Sequence, residues 1–369
     1  MLDVLFGIVV TCVMLLFALF AYVCSLVGGN TKMGSAQSHV PVTLDDLHDR
    51  MKYNASIRPT TKKHIGQRKL LLTEVQFLTP VSDDAVVVYA GSAPSNKGAF
   101  LASLFPKIRW VFVDPNPFDI KPGYGVTIND VTTADDQIAA CLASTRTHTI
   151  TIINDLMTID LAKSFNKIFP NAYFISDIRT NMSGGEPTDA DMIWNLAQQY
   201  NWIREMNPIQ SMLKFRHPYY DSMDTFDAEI ANGRADIEHA KTLGIDFVKH
   251  YHDRKLVYPP GVINLQAWAP GHSTETRLII KQSDLKTQHD YGDGKEYEEK
   301  LFYLNTITRA KTRFHHGEHG NHIDECFDCA LEVAIWQDYV AKHGGSVRSL
   351  IAQASKITTR WLDKYKHFG

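Results

Sequence analysis

The sequence has few cysteines, and they are unevenly spread: five in 369 residues. Cys12 and Cys24 lie in the apolar N-terminus, Cys141 stands alone, and Cys326 and Cys329 form a lone Cys-x-x-Cys pair. That spacing makes no disulfide framework and points to a reducing compartment for the folded part. An excess of charge of one sign is also missing. A net charge of −3 excludes a polycation that holds nucleic acid by bulk charge, so RNA contacts would have to come from local patches. Lys62, Lys63, Arg68 and Lys69 form one such patch, which reads equally as a solvated helix face. Gly-x-Gly-x-x-Gly and phosphate-loop patterns are absent, arguing against a dinucleotide or nucleoside triphosphate site. There are no internal repeats, which excludes solenoids and propellers.

The N-terminus reads as a separate object. Residues 4–27 carry no charge and are almost wholly apolar, long enough to span a bilayer at about 1.5 Å per residue. A cleaved signal peptide would want a basic start, and only Asp3 precedes the run. Lys32, Arg50 and Lys52 follow it, so the positive-inside rule puts the body in the cytosol. The expectation is a single-pass, membrane-anchored protein with its catalytic domain facing the cytosol. Met33-Gly34-Ser35-Ala36-Gln37-Ser38 also fits an N-myristoylation pattern, were Met33 a start. Residues 28–45 read as a flexible linker, 46–345 as the main domain, and 346–369 as a C-terminal helix.

The body alternates strand and helix signals. Ala85-Val86-Val87-Val88-Tyr89-Ala90 is an apolar, β-branched run ended by Gly91-Ser92-Ala93-Pro94-Ser95, the pattern of a buried parallel strand and a tight turn. Residues 97–104 then read as a helix. Further strands cover 110–113, 149–153 and 172–176, ending in Asp114, Asn154-Asp155 and Asp177, and 190–204 reads as a helix. The expected fold is a doubly wound, mostly parallel α/β sheet. Ligands of such sheets bind beyond the carboxyl ends of the strands, where these polar residues fall. A small-residue turn admits close backbone approach, and an acid after the second strand can accept from ribose hydroxyls. Together these features suit a nucleoside cofactor.

Several segments, in order from Gly66 to Asn305, resemble the poxvirus-type cap-specific mRNA 2′-O-methyltransferases. They are Gly66-Gln67-Arg68-Lys69-Leu70-Leu71-Leu72, the strand and turn from Val87 to Pro94, Ile175-Ser176-Asp177-Ile178-Arg179, and Gly184-Gly185-Glu186-Pro187. Asn207-Pro208 with Leu213-Lys214-Phe215-Arg216 follows, then Ala269-Pro270 with Ser273-Thr274-Glu275-Thr276-Arg277-Leu278, and Tyr297-Glu298-Glu299-Lys300 with Tyr303-Leu304-Asn305. The resemblance implies a Rossmann-like fold that uses S-adenosylmethionine to methylate the ribose 2′-hydroxyl of the first transcribed nucleotide of capped mRNA. It implies a catalytic tetrad of Lys69, Asp177, Lys214 and Glu275. Cofactor contacts would come from Gln67, Tyr89, Gly91, Ser92, Ala93, Pro94, Asp114, Asn154, Asp155 and Arg179. Tyr219, Asp221 and Glu298 would grip the cap, with Arg277 as a further RNA contact. A polymerase or capping-enzyme partner and a large DNA virus as source are also implied. Ser95 stands where the family usually has another Gly, and Asn116 where it has a basic residue. Residues 222–260 read as an insertion near the RNA entrance. Tyr53 is the nearest candidate for a second cap-stacking aromatic.

The chemistry suits these residue types. A ribose hydroxyl is a weak acid, so methylation needs it aligned and relieved of a proton. A neutral amine can take that proton; burial and cations favour the neutral form, and carboxylates oppose it. Lys214 is assigned as general base, Asp177 and Glu275 as its orienters, and Lys69 as the second positive charge. No metal is required. Three other functions compete: an RNA-binding or polymerase-partner scaffold with little catalysis, a 2′-O-methyltransferase acting on uncapped RNA, and a membrane adaptor that uses the fold only as a platform. His315, His316, His319, His322, Cys326 and Cys329 could supply zinc ligands, but the pairs lie closer together than in usual zinc modules. Residues 324–336 also read as a helix that would bury both thiols, so core packing is the favoured reading and no metal is expected.

Overall fold

The computed structural model describes residues 36–37, 39–57, 65–131, 136, 138–140, 148–180, 187–221, 223–318 and 323–365. Its centre is an eight-stranded sheet: β1 (Val86–Ala90), β2 (Arg109–Val113), β3 (Thr127–Val131), β4 (Thr149–Ile153), β5 (Tyr173–Ser176), β6 (Gln210–Phe215), β7 (Val262–Asn264) and β8 (Thr276–Lys281). The spatial order is β3-β4-β2-β1-β5-β6-β8-β7. The first six strands are mutually parallel, and β8 runs antiparallel to both β6 and β7. This is the mostly parallel α/β sheet that the sequence pattern implies.

Every residue of β1 and β4 is buried, as expected of central strands covered on both faces. One group of helices comprises α1 (Gly66–Leu78), α2 (Gly98–Leu104), α9 (Phe327–His343) and α10 (Val347–Tyr365). The other comprises α3 (Ile159–Ile168), α4 (Asp189–Met206) and α6 (Arg234–Thr242). α4 begins with a capping box between Thr188 and Asp191 and ends at Asn207, which adopts a left-handed conformation; both are efficient terminators. α8 (Lys295–Tyr303) continues through a π-turn at Leu304–Thr308.

The stretch read as an insertion folds into short pieces, α5 (Met223–Glu229), α6 and α7 (Phe247–His252). It docks on α4 through the Trp194 indole, which donates to Asp236 Oδ2 at 2.7 Å, and the Asn201 amide, which donates to the Asp236 carbonyl at 2.8 Å. Residues 42–46, at the end of the expected linker, are held on the sheet edge. Leu265 N donates to the Val42 carbonyl at 2.8 Å, and Thr43 bridges Asn264.

The expected membrane segment at 4–27 lies outside the described residues. So do Cys12, Cys24, Cys141, Lys62, Lys63, Gly184 to Glu186, His319, His322 and most of the Met33–Ser38 pattern. Among the described residues, no helix is long and apolar enough to cross a membrane. The expectation of a single-pass, membrane-anchored protein is corrected on that finding.

Candidate active site

Strand register assembles a charge cluster at the carboxyl edge of the sheet. Lys214 on β6 pairs directly with Arg277 on β8, so the two side chains share a face. Glu275 lies two residues before Arg277 and therefore points the same way. Ser176, the last residue of β5, pairs with Leu213, which brings Asp177 level with Lys214. Lys69 arrives from the first turn of α1.

The resulting contacts are close. Lys69 Nζ donates to Glu275 Oε1 at 2.5 Å. Lys214 Nζ lies 3.2 Å from Asp177 Oδ1 and 3.4 Å from Glu275 Oε2. Arg277 Nη2 donates to Asp177 Oδ1 at 2.8 Å and to Glu275 Oε1 at 3.3 Å. With its amide nitrogen toward Glu275, Gln266 bonds Glu275 Oε1 at 3.2 Å and accepts from Arg277 Nε at 2.9 Å. Three cations and two carboxylates thus share one site. The fifth member, Arg277, is 1% exposed. Expected as an RNA contact, it has its guanidinium turned onto the Asp177 and Glu275 carboxylates. The i, i+2 spacing from Glu275 was the available sign.

Burial and charge work against each other here. Burial alone would raise the Asp177 and Glu275 carboxyls. The cations Lys214 and Arg277 outweigh it at Asp177, and Lys69, Lys214 and Arg277 outweigh it at Glu275, so both are held below the ordinary carboxylate range. Burial lowers the Lys69 amine, and Arg277 adds to that, while Glu275 and Asp177 oppose it. Lys214 is more accessible than Lys69 and lines a cavity of about 410 Å³ together with Glu275, Arg179, Tyr219 and His272.

Buried ion pairs fix the segments that carry these groups. Arg68, next to Lys69, donates to Glu332 on α9 at 2.7 Å, and the Trp268 indole donates to the same carboxylate at 2.8 Å. Arg68 is therefore a packed residue, not part of a solvated basic patch. Asp328 accepts from Trp268 N at 2.8 Å and from Arg309 Nη2 at 2.8 Å, fixing the loop that leads to Glu275. Asn305 Nδ2 donates to the Ser273 carbonyl at 3.0 Å, and the Tyr297 hydroxyl donates to the Thr274 carbonyl.

The turn after β1 lies beside the cluster. Gly91 has φ +77, and a Cβ there would sit 2.8 Å from the Asp177 carbonyl carbon and the Ile178 nitrogen. A side chain would push Asp177 out of place. Ser95 takes φ +52, the left-handed conformation that the more usual glycine would adopt freely. Asp114 is buried and accepts from Ala93 N at 3.0 Å, Asn116 N at 2.8 Å and Asn116 Nδ2 at 2.9 Å, leaving a carboxylate room for one more donor. Asn154 Nδ2 donates to the carbonyls of Asp114 and Asn116. Asp155 is exposed and caps Leu156 N at 2.7 Å. The Ser92 and Ser176 hydroxyls are buried at the turn without a hydrogen-bond partner among the described residues. These groups fit a nucleoside-bearing cofactor. Gln67 is half-buried at the start of α1, and Arg179 is exposed at the cavity. The Tyr89 hydroxyl instead donates into the core, to Glu74 at 2.7 Å, where Lys97 also binds at 2.6 Å. Only its backbone remains for a ligand.

Tyr219 is 40% exposed at the cavity. Its ring lies under the Arg216 guanidinium at 4.6 Å, and its hydroxyl bonds Thr274 Oγ1 at 2.8 Å. The buried Asp189 carboxylate anchors this loop, accepting from Tyr219 N, Tyr220 N and the Tyr251 hydroxyl. Asp189 was not picked from the sequence, because its partners Tyr219, Tyr220 and Tyr251 lie far away along the chain. Burial raises the Glu298 carboxyl, and the charges of Glu299 and the exposed Asp221 add to that. Tyr53 stands 56% exposed against Phe302 of α8, ring centroids 5.1 Å apart.

The family model described as poly A polymerase regulatory subunit matches residues 39–243. The chain belongs to this family. The matched span of the poly A polymerase regulatory subunit family includes Lys69, Asp177 and Lys214; Glu275 and Glu298 lie beyond it. Two curated relatives carry the name "Cap-specific mRNA (nucleoside-2′-O-)-methyltransferase". The protein of Myxoma virus (strain Lausanne) is 29% identical over 287 residues, covering 72% of this chain and 69% of the relative. That of Fowlpox virus (strain NVSL) is 28% identical over 285 residues, covering 72% and 76%. The resemblance read from the motifs therefore holds, and the sheet fits a Rossmann-like methyltransferase fold.

Proposed function

We propose that the protein transfers a methyl group from S-adenosylmethionine to the ribose 2′-hydroxyl of the first transcribed nucleotide of capped mRNA. The observation that carries this is the convergence of Lys69, Asp177, Lys214 and Glu275 on one face, with Lys214 opening onto the cavity. The names of the relatives support it.

Lys214 approaches the hydroxyl from the cavity side and removes its proton as general base. Asp177 and Glu275 fix the Lys214 amine between them. Lys69 and Arg277 supply the neighbouring positive charge that balances the two carboxylates. The cofactor, when bound, supplies an electrophilic methyl on a sulfonium. Asp114 and the backbone from Gly91 to Pro94 would hold its nucleoside end. General-base help of this kind contributes about 10²- to 10⁴-fold, and alignment of the reacting oxygen more. Tyr219 offers an aromatic face, and Asp221 and Glu298 offer carboxylates that can accept from the N–H edge of 7-methylguanine.

Methyl transfer to short capped and uncapped RNAs tests this. Wild type methylates capped RNA; Lys214→Ala loses at least about 10²-fold. Lys214→Arg fails as well, because a guanidinium cannot give up its proton. Retained methylation by Lys214→Ala contradicts the base assignment. Equal methylation of capped and uncapped RNA contradicts cap specificity. The family description favours a second role as a partner of a poly(A) polymerase, which a binding assay with such an enzyme would reveal.

A further inference from the structure

The Cys-x-x-Cys pair takes no part in the charge cluster. Cys326 immediately precedes α9 and Cys329 lies in its first turn; each is 2% exposed, and they are not joined as a disulfide. Asp324, exposed at the surface, turns back toward them, its Oδ1 accepting from Cys326 N at 2.8 Å. One carboxylate oxygen of Asp324 and the two sulfurs all lie within 4.8 Å of one another. Ligand atoms in a tetrahedral zinc site, with bonds of about 2.0–2.3 Å, stand roughly 3.3–3.8 Å apart. Small side-chain rotations would close this triangle around an ion.

A further feature favours a cation. A carboxylate set beside two buried sulfurs is poorly solvated on that side, and a divalent ion would offset most of the charge of the carboxylate and the two thiolates. His315 and His316 are engaged elsewhere on the same turn, His315 Nδ1 with Glu325 Oε1 at 2.6 Å and His316 Nε2 with the Asp324 carbonyl at 2.8 Å.

We propose that Asp324, Cys326 and Cys329 bind one zinc ion, with solvent in the fourth position, as a structural brace at the start of α9. Binding releases the protons of both thiols to solvent and breaks no other bond. The brace fixes the segment before α9 to the helix that carries Asp328 and Glu332. Those two carboxylates in turn hold Trp268, Arg309 and Arg68 around the charge cluster.

The test uses the full chain, purified without an affinity tag that binds metal, and needs no methyl-transfer assay. Elemental analysis is expected to find about one zinc per chain. Cobalt exchange is expected to give thiolate charge-transfer and tetrahedral visible bands. Cys329→Ser loses both signals while keeping its circular dichroism. If that variant does not fold, Asp324→Asn serves instead and is expected to weaken zinc binding about 10-fold or more. A folded wild-type chain with neither retained zinc nor cobalt bands overturns the proposal. So does a Cys326–Cys329 disulfide in the freshly isolated protein, or zinc content unchanged in a folded Cys329→Ser.

Discussion

Arg277 and Asp177 are joined across an intervening strand: Nη2 of the first lies 2.8 Å from Oδ1 of the second, although β6 separates their strands. The guanidinium passes beneath Lys214 and holds both acids. It thereby fixes the two carboxylates that position the amine, without itself reaching the cavity.

Replacing Arg277 should therefore harm chemistry and stability together. Arg277→Met removes one partner of a buried charge network, at a cost of about 3–5 kcal/mol. It also removes a cation that lowers the Lys69 amine, so any rate limb reporting Lys69 deprotonation moves to higher pH. Arg277→Lys, which keeps the charge, should recover part of both. Denaturant melts and pH–rate profiles of the three proteins check this; an unshifted profile in a folded Arg277→Met would contradict it.

Gly91→Ala should displace Asp177, because its Cβ has no room against the Asp177 and Ile178 backbone. The expected result is a loss of about 1–3 kcal/mol and a fall in kcat. Gly125→Ala is the control. It has a similar φ of +73 but nothing within 4 Å, so it should cost stability and leave kcat unchanged.

His217 makes stability depend on pH. Burial pushes its imidazole down to about 4 from the ordinary 6.5. Between those values the unfolded chain takes up a proton that the folded chain refuses. Its contribution is thus fully present above pH 6.5 and is lost as pH falls toward 4, about 3 kcal/mol in all. His217→Phe, placed among Phe215, Tyr291 and Tyr297, should flatten that window in denaturant midpoints measured against pH.

Asp328→Ala should cost about 3–5 kcal/mol by leaving Arg309 buried without its carboxylate. The drop in thermal midpoint should come with slower methyl transfer, since the loop before Glu275 loses its anchor at Trp268 N.

The central strands were legible because they are buried on both faces. Val86 to Ala90 and Thr149 to Ile153 carry apolar, β-branched runs that no solvated segment would tolerate. β7 and β8 were not read: Val262 is 47% exposed on a three-residue edge strand, and β8 depends on pairing with β6. Lys69, Asp177, Lys214 and Glu275, which the structure brings together, were singled out through their motif contexts. The burial of Arg277 was not legible because its face is set by register against Lys214, which is long-range information. The direction of the Tyr89 ring was not legible because its hydroxyl partner, Glu74, lies on α1, and nothing local shows which way the ring turns.

Because β8 runs against its neighbours, its beginning, not its end, meets the reactive edge. The polypeptide leaves that edge after Phe215 and returns to it at Glu275. Whatever is spliced into the excursion need only bring its two ends back to one place. The α5–α7 segment occupies this excursion, so away from Asp236 and Tyr251 its length can change while the strand pairing keeps Lys214 and Glu275 aligned.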